Sequence, residues 1–171
     1  MNKILIYRNC SLGDFIVALP AIKLIKKKNP NSKIFFASQK RNIAGYITPN
    51  LVPIKKGIIN KFIFYDYKLF SVLSFLFRIY NQRFDKVYYL NEINSKKKLI
   101  RDSFIFKFLN IKKRYGFDFE KFNYIKFNET YYLCKRVYKK VQKKNISFSN
   151  IIINKKKNDK KYITLSLGGR H

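Results

Sequence analysis

An unbroken apolar run, Ile4-Leu5-Ile6-Tyr7, passes through the turn Arg8-Asn9-Cys10-Ser11-Leu12-Gly13-Asp14 into a segment whose apolar positions recur at helical spacing as far as Lys26. A continuous run followed by such a stripe reads as strand, turn and helix. A second apolar burst, Lys33-Ile34-Phe35-Phe36-Ala37, supplies the next strand, so the chain opens as a βαβ unit. The turn sets one carboxylate, Asp14, at the start of the helix, where α/β enzymes collect their chemistry.

Each residue of this turn fits both a structural and a chemical role. Ser11-Leu12-Gly13-Asp14 matches a capping box, in which Ser11 caps the helix and Asp14 reaches back to the Ser11 amide. The same aspartate is the candidate catalytic group. Ser11 either caps only or also hydrogen-bonds a substrate, and Gly13 permits either a tight turn or close approach of a sugar or phosphate to the backbone. Arg8 either meets an acceptor carboxylate or phosphate or lies against the sheet edge without a ligand. The turn lacks G-x-G-x-x-G and G-x-x-x-x-G-K-[ST], so NAD and ATP have no support and no cofactor is expected.

The only histidine is His171, which excludes a Ser-His-Asp triad, a His-Glu-x-x-His metal site and an internal imidazole base within these residues. Any proton acceptor is then a carboxylate, chosen from nine acids that face 38 Lys and Arg for a net charge of +29. Cys10 and Cys134 lie far apart with no C-x-x-C spacing, so neither a disulfide framework nor a metal site is implied, and a reducing cytoplasm fits best. The charge excess has two readings: attraction to an anionic partner, or a compositional bias rich in Lys, Asn, Ile, Phe and Tyr.

Strand and helix signals alternate along the chain, predicting a mostly parallel sheet flanked by helices. Strands are expected at 58–64, 86–90 and 114–117, and helices at 67–82, 96–109 and 129–144, with a short helix and turn over 42–53. At 171 residues the chain holds one main core. The domain reading is 1–153 as a Rossmann-like domain, 154–161 as a basic linker, and 162–171 as the start of a further domain whose opening strand, Tyr162 to Leu167, has no helix after it. There Gly168, Gly169 and Arg170 bring backbone amides and a guanidinium to a strand end, a combination suited to a nucleotide diphosphate. Only four apolar residues separate Lys3 from Arg8, too few for a signal-peptide core. The apolar stretch Leu69 to Phe77 is too short to span a bilayer and reads as a buried helix or as one lying in a membrane interface.

The segment Arg8-x-x-Ser11-Leu12-Gly13-Asp14, followed by Leu19-Pro20-Ala21 and a helix ending near Lys27-x-x-Pro30-x-Ser32-Lys33-Ile34, resembles the N-terminal signature of the heptosyltransferases, glycosyltransferase family 9. Arg83-Phe84-Asp85 before a strand, Arg114-x-Gly116 and the stretch Tyr162 to Gly169 are similar to later segments of that family. The resemblance implies the N-terminal half of a GT-B glycosyltransferase: an acceptor-side Rossmann-like domain here, with a donor-side domain only begun. It implies transfer of a sugar from a nucleotide-sugar donor, ADP-heptose-like, to an anionic lipopolysaccharide-type glycolipid acceptor, with inversion and without a catalytic metal. Asp14 is then the general base, Arg8, Ser11 and Gly13 contact substrate, and Gly168, Gly169 and Arg170 take the donor phosphates. The protein is expected in the cytoplasm, with peripheral contact to the acidic inner face of the inner membrane, and this half alone is expected to be inactive. The rival readings are a nonenzymatic basic α/β module binding nucleic acid, which no RNP, KH or helix-turn-helix pattern supports, and an inactive truncated acceptor-binding domain.

Overall fold

A computed structural model describes residues 1–40, 57–118 and 128–140. Five strands among them, β1 (Lys3–Tyr7), β2 (Lys33–Gln39), β3 (Lys61–Tyr65), β4 (Lys86–Tyr89) and β5 (Lys113–Tyr115), form one sheet in the order β3-β2-β1-β4-β5. Every neighbouring pair is parallel. Among the described residues four helices connect or cover them: α1 (Leu12–Lys28), α2 (Leu69–Gln82), α3 (Lys96–Phe108) and α4 (Glu129–Val137).

Because successive strand residues point to opposite faces, β1 splits its side chains between two cores. Ile4 and Ile6 join Ile34, Phe36, Tyr88 and Leu90 under α1 and α4. Leu5 joins Phe35, Ala37, Ile63, Val87 and Tyr89 under α2 and α3. Apolar residues on both faces are what a sheet covered on both sides requires, so the strands read as continuous hydrophobic runs.

Element types follow the sequence expectations, and the shifted boundaries have local causes. β3 starts at Lys61 because Asn60 turns its side chain to the sheet, where its Oδ1 accepts from the Ile34 amide at 2.8 Å. β5 stops at Tyr115 because Gly116 adopts φ +81, and a Cβ there would run into the Tyr89 carbonyl oxygen. α4 ends at Val137 rather than Lys144, since Tyr138 is extended, with its ring under the Lys28 ammonium at the end of α1. α2 buries only Phe75 and Ile79 deeply, so the stretch 69–77 is not the buried helix its composition allowed; its apolar residues exceed what one face can hide. The expected short helix at 42–53, the linker 154–161 and the strand from Tyr162 lie outside the described residues.

Candidate functional site

From β1 the chain order in the sheet runs one way through β2 and β3 and the other way through β4 and β5. Parallel sheets bind ligands in the crevice outside their carboxyl ends at such a reversal, because the loops on either side part there. Two loops flank it: Arg8 to Ser11 after β1, and Leu90 to Ile93 after β4.

Asn9 ties the rim together. Its amide N–H donates to Asn91 Oδ1 at 2.5 Å, and its own Oδ1 accepts from the Gln39 amide at 3.0 Å and from the Tyr65 hydroxyl at 3.2 Å. Its Nδ2 donates to the Tyr7 hydroxyl at 3.3 Å, and the two tyrosine oxygens lie 2.6 Å apart. With the Tyr65 proton directed to Asn9, Tyr7 donates to Tyr65 and the three side chains close a ring of hydrogen bonds. Burial raises both phenols above their ordinary ionisation range, so the ring keeps its protons.

Two guanidinium groups hold the loop after β4. Arg8 is buried; it donates from Nη1 to the Leu90 carbonyl and from Nη2 to Glu129 Oε1, each at 2.5 Å. Arg136 donates from Nη1 to the Asn91 carbonyl at 2.6 Å and from Nη2 to the Gly116 carbonyl. Burial pulls the Arg136 guanidinium down to about 10, while the Tyr132 and Tyr89 rings beside it act the other way. Among the described residues the buried Arg136 Nε has no hydrogen-bond partner, while the Arg8 and Asn91 side chains also interact with Cys10 and Tyr89. An unpaired buried donor is costly, so this guanidinium is held by packing as much as by its two bonds.

Asp14 stands beside this rim in the first turn of α1, exposed to solvent. The capping box anticipated from the sequence is formed: Ser11 Oγ accepts from the Asp14 amide, and Asp14 Oδ2 accepts from the Ser11 amide at 3.1 Å and the Ser11 hydroxyl at 2.8 Å. Both bonds fall on Oδ2, while Oδ1 has no partner among the described residues, so the cap fixes the carboxylate and leaves one oxygen open. Gly13 is exposed next to it, and a Cβ added there would meet only Ser11 Oγ, at 4.0 Å. Cys10 is buried and its thiol is pushed up to about 12, chiefly by burial, which removes it as a nucleophile near neutral pH.

Of the residues the sequence singled out, the structure brings Arg8, Ser11, Gly13 and Asp14 to one turn; Gly168, Gly169 and Arg170 lie outside the described residues. Asn9, Asn91, Glu129 and Arg136 were missed. Only Glu129 and Arg136 carried a signal, a seven-residue spacing that puts both on one face of a helix.

No family model matches the sequence, and no curated protein matches it. Solved structures do. The E. coli heptosyltransferase WaaC with ADP-2-deoxy-2-fluoro heptose aligns at TM-score 0.52 and 11% identity over 80% of this chain and 47% of that one. This is a Rossmann-like α/β fold of the kind GT-B heptosyltransferases carry. WaaC with ADP gives TM-score 0.51 and 12% identity over 80% of this chain and 46% of that chain. The chain thus spans less than half the length of either structure, and the likeness is one of fold.

Proposed function

We propose that this chain is the acceptor-side half of an inverting glycosyltransferase of the heptosyltransferase type, working at the cytoplasmic side of the membrane in lipopolysaccharide assembly. The observation that carries the reading is the exposed Asp14 carboxylate, held through one oxygen and open at the other, at the reversal of a sheet whose fold matches that of heptosyltransferases. In this reading Oδ1 of Asp14 takes the proton of an acceptor hydroxyl as its oxygen attacks the anomeric carbon. The new C–O bond forms as the sugar–phosphate bond breaks, and the nucleotide diphosphate leaves with the electron pair. Residues 1–153 form the acceptor domain, 154–161 the linker, and Gly168, Gly169 and Arg170 open the donor side, where backbone amides and a guanidinium meet the diphosphate of an ADP-heptose-like donor.

The test is sugar transfer from a nucleotide-heptose to a lipopolysaccharide-type glycolipid by the chain joined to a donor-side domain. Asp14→Asn keeps an oxygen for the Ser11 cap and removes the base, so turnover is expected to fall by about 10²–10⁴-fold with acceptor binding unchanged. Undiminished turnover would reject Asp14 as the base, and no transfer by the unmutated protein would reject the reaction itself.

A further inference from the structure

α2 and α3 are neighbours on one side of the sheet, since Phe75 of α2 and Phe106 of α3 both lie against the Tyr7 ring. Their outer faces are apolar. On α2, Leu69, Leu73, Phe77 and Tyr80 follow one another at three- and four-residue spacing, and Phe70 beside them is 84% exposed. On α3, Ile100, Phe104 and Phe108 repeat every four residues, and Phe108 is 89% exposed. A folded domain rarely leaves this much aromatic surface in water without a partner to cover it.

We infer that this face docks on a bilayer containing anionic phospholipid. Charge selects that partner. Lys68, Arg78, Lys96, Lys97, Lys98 and Lys107 stand exposed around the apolar stripes. α2 contains no acid, and the one acid of α3, Asp102, is buried and bonded to Arg101 and Tyr89. A second copy of the chain would bring another +29 against this cationic rim, whereas anionic headgroups complement it and the acyl region accepts the phenylalanines. A groove of about 370 Å³ opens on the same face, with walls from Ile100, Phe104 and Phe117 and cations from Lys96, Lys107 and Arg114. Apolar walls with three cations suit one lipid phosphate and the start of its chain. α2 and α3 also both begin at the carboxyl edge of the sheet, the edge at which α1 places Asp14. Vesicle binding requires no sugar acceptor, so it stands or falls separately from the transferase reaction.

The test is flotation of the chain with vesicles of phosphatidylglycerol and phosphatidylethanolamine, against phosphatidylcholine alone. Binding to the anionic vesicles is expected to persist in part at about 0.5 M NaCl, because salt screens charge and leaves apolar insertion intact. Phe70→Ser/Phe77→Ser/Phe108→Ser is expected to lose at least about 10-fold in affinity with its circular dichroism unchanged. The chain has no tryptophan, so Phe70→Trp is a sole reporter whose emission should shift to the blue on vesicle addition. Three results would overturn the inference: complete release by salt, an unshifted Trp emission while the protein floats, or a dimer that the triple variant converts to monomer without any vesicle binding.

Discussion

A single carboxamide at Asn9 gathers the ends of β1, β2 and β3 and, through its backbone, the loop after β4. Its removal strands a buried amide and breaks the tyrosine ring. Asn9→Ala is therefore expected to lower unfolding free energy in urea by about 1–3 kcal/mol, and Asn9→Asp, which keeps the acceptor oxygen, to lose less. The neighbouring cap shows why some of this site was legible and some was not. Ser11 and Asp14 are three residues apart, so their mutual bonds follow from helix geometry alone. Three of the four partners of Asn9 lie 30, 56 and 82 residues away, and nothing local in the sequence announces them.

α4 shows how one helix is fastened to a strand end and to another helix. Glu129 in its first turn meets Arg8, Asn128 caps it by accepting from the Thr130 amide, and Thr130 Oγ1 donates to the Val17 carbonyl of α1 at 3.2 Å. That carbonyl adjoins the one at Ile16, which Pro20, having no N–H, cannot bond. Glu129→Gln removes the anion and leaves a buried guanidinium; with Glu129 one-third exposed, a loss of about 1–3 kcal/mol is expected in urea melts. Arg8→Met/Glu129→Leu, which removes both charges, should recover part of that loss. At this level the periodic patterns located the start of every described helix and strand within about three residues. They were silent on which face of α2 meets the core, because apolar residues occupy both sides of it and only the neighbouring strands break the tie.

Taken as a whole, the domain buries groups that hold their protons. Cys10 is raised from 9.0 to about 12, and Tyr7, Tyr65 and Tyr89 move in the same direction, each mainly through burial. For Cys10, a folded-state pKa above the unfolded one gives stability that is complete below about pH 9 and is lost as pH rises through about 12, since the unfolded chain releases its proton first. Between about pH 9 and 10.5 the thiol of Cys10 alone is expected to remove about 1–2 kcal/mol. Urea midpoints of the unmutated chain and Cys10→Ala should diverge over this interval, a comparison in which the relief of lysine repulsion cancels. Parallel slopes would show that the thiol ionises equally in both states. The ion pair between Arg8 and Glu129 spans 121 positions of sequence. On the ribosome, Asp14 and its turn therefore emerge long before Glu129, which pairs with Arg8, and Arg136, which holds the loop after β4. The turn that carries Asp14 waits for the partner that fixes its neighbouring arginine.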